Sequence, residues 1–315
     1  TPKPSSAASD VYKRQALLLT LLLAAPALAW NKPGHQVVGA IAYDVLKAEH
    51  PDAIPRIIAI LKQHPQYASE MADRIAKVKG VDPDRYLFML AARWPDDVRD
   101  QPRYHRSAWH YINYPIVPPA DAGQVKPPPP ADVNILTALK LNTDLASDAR
   151  KPGEDRAVAL CWIFHLIGDV HQPLHTVALF SKRYPNGDRG GNSFTVRVAE
   201  NRGVVNLHSF WDGLLGSGQT YRFTGNIAIE LRNRPDFARD KLKELGEQRT
   251  AEQWAKASAA IAKRTAYVNG TLQGGTDDND AATLPEGYPA DAKAIAERQV
   301  VLAGYRLADA LATVR

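Results

Sequence analysis

The sequence predicts a mainly α-helical protein that forms a single domain with one small β-hairpin. Three observations lead to this prediction. Apolar residues recur at helical spacing in six segments, whereas only one pair of short runs has the composition of paired strands. The mature chain contains neither an internal repeat nor a break in composition that would divide it. A content of 45% hydrophobic and 23% charged residues is that of an ordinary globular protein.

The segment 1–29 is predicted to be an upstream extension followed by a signal peptide. Lys13 and Arg14 precede the apolar run Ala16–Ala29, which has the length of a signal-peptide core and is too short to span a membrane. The run ends in Ala-Leu-Ala, which predicts cleavage between Ala29 and Trp30. The alternative for this run is a buried or membrane-anchoring helix. After cleavage, the mature domain 30–315 would be secreted or periplasmic.

The mature chain provides the predicted helices in six segments. These are Gly34–His50, Asp132–Asp148, Glu154–Gln172, Asn226–Leu245, Ala251–Asn269 and Asp291–Val314. The segment Glu154–Gln172 is apolar on nearly every face, which predicts that this helix is buried.

Other segments are predicted to be loops and strands. The Pro-rich stretch Pro115–Pro130 and the polar, Gly-rich stretch Gly270–Pro289 predict loops. The runs Asn192–Val198 and Val204–Leu207 flank the polar turn Glu200–Gly203, and this pattern predicts the β-hairpin.

Composition limits the chemistry that is open to the chain. Cys161 is the only cysteine, which excludes an intrachain disulfide framework, a cysteine-type zinc finger and an iron–sulfur cluster. A net charge of +5 without a dense Lys/Arg tract permits anionic partners but does not demonstrate nucleic-acid binding. Nine histidines remain as candidate metal ligands or acid–base groups.

Two histidine–aspartate pairs carry the strongest chemical signal. His165 and Asp169 lie four residues apart in the predicted buried helix, and therefore on one face. Burying a carboxylate is costly unless it is paired or binds a metal. The spacing recurs at His208 and Asp212, and His175 follows the first pair closely. The alternative for a single pair is a hydrogen bond in the core.

Taken together, these residues predict a metal site. The predicted hairpin would bring the second pair back beside the first. Imidazole nitrogens and carboxylate oxygens without thiolates suit zinc in a hydrolytic role.

Other polar residues are ambiguous when taken alone. Asp96, in the segment Trp94–Arg99, could be a helix cap, and His110, beside Trp109, could be half-buried. His171 lies six residues after His165 and is expected to face elsewhere. The remaining histidines in polar surroundings are expected to be exposed to solvent. They are His50, His64 and His105.

In combination, these segments resemble the S1/P1 nuclease family of zinc-dependent phosphodiesterases, whose architecture the zinc-dependent phospholipases C share. The resemblance spans Trp30 to Asp212, with a helical tail beyond, and it implies three zinc ions. The first would be held by Asp96, His110, His165 and Asp169, and the second by His175, His208 and Asp212. The third would be held by His35, a second oxygen of Asp169, and the α-amine and carbonyl of Trp30.

The resemblance also implies an activity. The protein would hydrolyse single-stranded DNA and RNA to 5′-phosphate products by attack of a zinc-bridging hydroxide, and it would have 3′-nucleotidase activity. Arg99 matches a family arginine that contacts phosphate, and with Asp169 it is the predicted catalytic set. Tyr111 would stack on a base, and Asn192, in a Gly-Gly-Asn segment, is the second predicted substrate-binding residue.

Some features depart from the family pattern. The paired cysteines of fungal and plant members are missing, which suggests a bacterial member. Gly213 stands where fungal members have Asn, and Asn113, Tyr114 and Pro115 also differ, so these departures concern substrate preference and not the metal site. The alternatives are a zinc-dependent phospholipase C, in which Glu replaces Asp212, and an exported zinc-binding protein without catalysis. We expect a monomer without stable membrane association.

Overall fold

The computed structural model describes residues 30–200 and 203–314, and this part of the chain is mainly helical, as predicted. The predicted signal peptide lies outside the described residues. The α-helices, in chain order, are α1 (Lys32–Glu49), α2 (Ala53–Leu61), α3 (Asp73–Ala76), α4 (Pro83–Asp97), α5 (Ile135–Ser147), α6 (Gly153–Asp169), α7 (Leu207–Asp212), α8 (Tyr221–Arg232), α9 (Glu244–Glu247), α10 (Ala251–Ile261) and α11 (Tyr288–Ala312).

Helix α6 lies in the hydrophobic core. Every residue from Ala159 to Asp169 is buried, which confirms the prediction from its apolar composition. Helices α4 and α5 pack against α6, while α1 packs against both α4 and α11. The core therefore surrounds the helix that carries His165 and Asp169.

In the described part of the chain, five short strands form two small sheets. Strand β1 (Tyr114–Ile116) pairs in parallel with β2 (Val177–Leu179). Strand β3 (Thr195–Arg197) pairs antiparallel with β4 (Val204–Asn206), which confirms the predicted hairpin with shorter strands. Strand β5 (Ala282–Thr283) adds to the other edge of β3.

Several predicted boundaries were wrong. The single helix predicted over Asn226–Leu245 ends at Arg232, because Pro235 cannot donate the backbone hydrogen bond that would continue it. The helix predicted over Ala251–Asn269 is α-helical only to Ile261 and continues as a π-helical turn. The predicted loop Gly270–Pro289 supplies β5 and the start of α11, and Pro115 of the other predicted loop lies in β1.

Helices α2 and α4 were missed by the sequence analysis. Asp82 caps α4 by accepting hydrogen bonds from the backbone N–H groups of Asp84 (3.1 Å) and Arg85 (3.2 Å). The helix continues past Pro95 to its last turn, so Asp96 is a residue of that turn rather than a cap. Within the described ranges, every helix falls short of the length and hydropathy that crossing a membrane requires.

Candidate metal centre

Eight of the nine predicted ligand residues have side chains that meet in one buried region. Six of them lie in or close to the first or last turn of an α-helix, and His110 and His175 lie in the single-turn 3₁₀ helices Ser107–His110 and Pro173–Thr176. The eight residues belong to three groups whose candidate ligand atoms lie within 4.8 Å of one another. The groups are His35, His165 and Asp169; Asp96, His110 and His165; and His175, His208 and Asp212.

The first two groups merge around His165. Its Nδ1–H donates to the carbonyl oxygen of Ala92 at 2.9 Å, so Nε2 is the nitrogen left to bind a proton or a metal ion. That Nε2 atom lies 3.0 Å from Nδ1 of His110 and 3.6 Å from Oδ1 of Asp96. His35 stacks on the His165 ring at a centroid distance of 3.8 Å. Because one imidazole nitrogen can bind only one metal ion, His165 can serve only one of its two groups.

Asp169 reaches both sides of this cluster with its two oxygens. Oδ2 lies 3.0 Å from Nδ1 of His110 and 3.1 Å from Nε2 of His165. Oδ1 lies 3.2 Å from Nε2 of His35. The carboxylate is fully buried at the end of α6. It is therefore placed to ligate two neighbouring cations, one with each oxygen.

The third group contains two imidazole lone pairs that face each other. Nδ1–H of His175 donates to the carbonyl of His110, and Nδ1–H of His208 donates to that of Gly190, both at 2.6 Å. The two Nε2 atoms are then acceptors, and they lie only 3.1 Å apart. Two facing acceptors repel each other unless a cation lies between them.

Asp212 completes the third group. Its Oδ1 accepts a hydrogen bond from Nε2 of Gln172 at 2.6 Å, and Oδ2 lies 3.6 Å from Nε2 of His208. Oriented imidazoles with a hydrogen-bonded carboxylate are typical of metal sites, because outer partners fix the direction of each ligand.

Several buried polar atoms in this region lack hydrogen bonds from the residues that the structure describes. They are Oδ1 of Asp169, Oδ2 of Asp212 and both ring nitrogens of His35. Leaving such atoms unsatisfied costs about 1–3 kcal/mol each, which bound cations would offset. The donor set is nitrogen and carboxylate oxygen, and it therefore fits zinc.

Burial also sets the protonation of these groups. It lowers the pKa of His208 to about 3 and that of His110 to about 4, and it lowers the pKa of His175. Burial acts to raise the pKa of Asp169, but the positive charge of His165 and hydrogen bonds hold it well below its ordinary value. Burial and the neighbouring carboxylates raise the pKa of Asp212. Neutral imidazoles near an ionised carboxylate are ready to bind a cation.

Trp30 lies beside the same region. Its ring is fully buried, and Nε1–H donates to the carbonyl of Gly168 at 3.0 Å, next to Asp169 in the chain. The N–H of Asn31 points to the carbonyl of Asp212 at 3.4 Å. A Cβ atom at Gly34 would lie 2.9 Å from Cβ of Trp30, so the glycine allows this close approach.

A cavity of about 540 Å³ opens over the histidines, and the other predicted site residues line it. Arg99 pairs with Asp96 at 2.6 Å and is 17% exposed, so it combines an ion pair with access to the cavity. Tyr111 is 39% exposed, so its ring is accessible from the cavity. Asn192 lies on the rim, and its Nδ2 donates to the carbonyl of Arg189 at 2.8 Å.

The remaining histidines fall into two classes. His50 and His105 are exposed, as expected, and His105 also lines the cavity. The prediction for His64 was wrong: it is buried against Trp94, and its Nδ1 accepts from the N–H of Gln66 at 3.0 Å. Trp94, which covers His64, belongs to α4, a helix that was not predicted from the sequence.

His171 faces away from the cluster, as predicted. It is buried, and its Nε2 accepts a hydrogen bond from Nη1 of Arg306 at 2.6 Å. Sequence reasoning did not assign Arg189, which lines the cavity. The signal available for this residue was its position before the pair Gly190-Gly191.

Comparisons with known proteins place this arrangement in context. The S1/P1 nuclease family matches residues 30–315. The chain is similar to Endonuclease 4 of Arabidopsis thaliana, with 24% identity covering 94% of this chain and 92% of the relative. It is also similar to Endonuclease 3 of the same plant, with 24% identity over 94% and 92% of the two chains. Nuclease S1 of Aspergillus oryzae is 22% identical over 92% of this chain and 93% of its own.

Proposed function

The chain belongs to the S1/P1 nuclease family, and on that premise we propose that it is a zinc-dependent hydrolase of single-stranded DNA and RNA. The observation that carries the proposal is the meeting of buried imidazoles and carboxylates beneath one cavity. The names of its relatives, Endonuclease 4 and Nuclease S1, support a nuclease.

We assign the groups to three zinc ions. Asp169 supports two ions around His165, because its two oxygens face different histidines while His165 has a single nitrogen to offer. The group that contains His208 would hold the remaining ion. The ligands of the first ion would be Asp96, His110, His165 and Asp169. Those of the second would be His175, His208 and Asp212, and those of the third His35, Asp169 and the amine and carbonyl of Trp30.

The charge balance of such a site favours phosphate. Three zinc ions would contribute roughly +6, and the carboxylates of Asp96, Asp169 and Asp212 roughly −3, so the site would carry roughly +3. The imidazoles do not change this sum, because histidine binds zinc as a neutral ligand. A cationic cavity attracts the phosphodiester backbone from solution.

The chemistry divides between the ions and the protein. Zinc would activate a water molecule for attack on phosphorus and stabilise the departing 3′ oxygen, so that the products carry a 5′-phosphate. Arg99 lines the cavity beside Asp96, where its guanidinium can bind the phosphoryl oxygens as negative charge develops. The ion pair with Asp96 restricts the motion of the Arg99 side chain and keeps its guanidinium beside the cavity.

Substrate preference would follow from the cavity wall. The exposed ring of Tyr111 offers a stacking surface worth about 1–3 kcal/mol per base, with little dependence on sequence. A base within a duplex cannot reach this ring without unpairing, so single strands are preferred. A nucleotide with a 3′-phosphate contains the same bond between phosphorus and the 3′ oxygen and could place it at the same groups, which supports 3′-nucleotidase activity.

Export would be coupled to assembly of the third site. Cleavage between Ala29 and Trp30 would convert the Trp30 nitrogen from an amide, which is a poor ligand, to a free amine. The buried seat of Trp30 beside Gly168 supports this assignment. The protein would then act as a secreted or periplasmic enzyme.

The test uses mature protein that begins at Trp30. Single-stranded DNA, single-stranded RNA, duplex DNA and phosphatidylcholine vesicles are each incubated with the protein, with a chelator, and with zinc restored. We expect 5′-phosphorylated nucleotides from both single-stranded polymers, suppression by the chelator and recovery with zinc. Release of lipid headgroup alone would instead identify a phospholipase C. No hydrolysis by protein that holds zinc would refute the enzymatic proposal.

A matched pair of variants connects the activity to the site. Asp212→Asn alters a buried carboxylate of the proposed centre, whereas Asp240→Asn alters an exposed carboxylate paired with Lys241 on the surface. We expect at least a hundredfold loss of activity for the first variant and less than a twofold change for the second. Equal activities in the two variants would show that hydrolysis does not depend on this cluster.

A further inference from the structure

The loop that borders the cavity beside His208 holds three consecutive residues in the left-handed region of backbone space. Their φ values are 59° for Arg189, 62° for Gly190 and 86° for Gly191. Glycine adopts such angles readily, but a residue with a Cβ atom does so at a cost. Strain of this kind persists where the surroundings enforce it, and it often marks a functional site.

Neighbouring groups enforce the conformation of this loop. Asp188 is buried, and its carboxylate accepts hydrogen bonds from Tyr267 Oη–H at 2.5 Å and from the N–H of Leu179 at 2.9 Å. Asn192 closes the turn by donating from Nδ2 to the carbonyl of Arg189. The loop therefore has a fixed anchor on each side of the arginine.

Gly190 ties the same loop to the metal centre. Its carbonyl accepts the Nδ1–H of His208, and a Cβ atom at this position would lie 2.4 Å from the carbonyl oxygen of Leu174. Arg189 is the adjacent residue, so its Cα lies one residue step, about 3.8 Å, from that of Gly190. The position of the arginine is consequently fixed relative to His208.

The side chain of Arg189 is exposed and lines the cavity. It makes no ion pair or hydrogen bond with any residue in the described ranges 30–200 and 203–314. In contrast, Arg99 in the same cavity is paired with Asp96. An unpaired guanidinium on a strained, anchored loop is available for an anion from outside the protein, and phosphate matches its planar array of donors.

We propose that Arg189 binds the phosphate of the nucleotide that flanks the scissile bond, and that it thereby sets the preference for polymers over mononucleotides. This inference rests on the proposed nuclease function. The scissile phosphate would lie at the metal ligands and Arg99, whereas Arg189 extends from the rim beside His208. A polymer has a flanking phosphate to reach this rim, and a 3′-mononucleotide has none.

The first experiment measures selectivity. Wild-type protein and the Arg189→Gln variant, both loaded with zinc, are assayed on a single-stranded oligonucleotide and on a 3′-mononucleotide. We expect the ratio of kcat/KM for the oligonucleotide to that for the mononucleotide to fall about tenfold, as for the loss of one charged contact. Arg222→Gln is the matched control, because Arg222 is exposed on α8 and outside the cavity. The control should keep the wild-type ratio.

The second experiment measures binding without hydrolysis. Fluorescence anisotropy follows a labelled oligothymidylate with phosphorothioate linkages at several salt concentrations. Loss of one phosphate contact should make the slope of log K against log salt shallower by about 0.7 in Arg189→Gln, while Arg189→Lys should keep the wild-type slope. An unchanged ratio together with an unchanged slope in Arg189→Gln would overturn the proposal.

A glycine variant separates this role from a structural one. Arg189→Gly relieves the left-handed strain, so we expect its Tm to rise by about 2 °C while its oligonucleotide affinity falls as in Arg189→Gln. A lower Tm with unchanged affinity would show that Arg189 contributes to stability and not to phosphate binding, and it would overturn the proposal. If the wild-type protein hydrolyses neither polymer, the nuclease function fails, and the anisotropy measurement still decides whether Arg189 binds phosphate.

Discussion

Replacing Asp169 by asparagine tests whether one carboxylate serves two metal ions. Its Oδ2 lies about 3 Å from both His110 and His165, at 3.0 and 3.1 Å, while Oδ1 lies 3.2 Å from His35. Asparagine keeps the shape and one neutral oxygen, but its amide nitrogen is not a ligand and the negative charge is lost. Both neighbouring sites should weaken together.

The magnitude can be approximated from the ligand count. Binding of a structural zinc ion by four ligands is worth on the order of 10–16 kcal/mol, so one ligand contributes about 3 kcal/mol. A loss of about 3 kcal/mol corresponds to about a hundredfold in Kd at each affected site. Asp212 faces only the third group, so Asp212→Asn should weaken a single site.

Zinc content after dialysis against a competing chelator provides the assay. At a chelator concentration that leaves the wild-type protein with three zinc ions, we expect two in Asp212→Asn and one in Asp169→Asn. Far-ultraviolet circular dichroism confirms that each variant remains folded. Equal zinc content in the two variants would refute the conclusion that Asp169 bridges two sites.

Three further predictions concern the surroundings of the site. Arg306→Met leaves the buried Nε2 of His171 without its donor, so we expect the free energy of unfolding in urea to fall by about 2 kcal/mol, and an unchanged value would contradict this. Burial raises the pKa of Asp188 from 3.8 to about 6, so the native state keeps a proton that the unfolded chain releases between pH 4 and 6. The stability of the wild-type protein should therefore decline by about 3 kcal/mol across that range through this group, and Asp188→Asn should lack this part of the decline in urea titrations at several pH values. A chain with one additional residue before Trp30 should bind one zinc ion fewer than the mature chain, and equal zinc content would show that the amine is not a ligand.

The parts of the site that follow a local rule could be predicted from the sequence. His165 and Asp169 share a face because they are four residues apart on a helix, and His208 and Asp212 repeat that spacing. An apolar helix that contains a histidine and a carboxylate also indicates a buried polar site. These features required no knowledge of the fold.

Other parts depend on contacts that are distant in sequence. The last turn of α4, which contains Asp96, could not be predicted, because proline usually ends a helix and Pro95 lies within this turn. The missing helix also made His64 look exposed, although α4 covers it through Trp94. The role of Arg189 depends on the hydrogen bond between Asp188, the preceding residue, and Tyr267, which lies 79 residues further along the chain than Asp188.

The central claim is that a three-ion zinc centre hydrolyses single-stranded nucleic acid, and a zinc titration tests it most directly. Mature protein from which a chelator has removed the zinc is titrated with zinc. At each step, the nucleotides released from single-stranded DNA and the zinc bound per chain are both measured. We predict that activity stays low through the second equivalent and rises with the third. Full activity without added zinc, or with a single bound ion, would contradict the account.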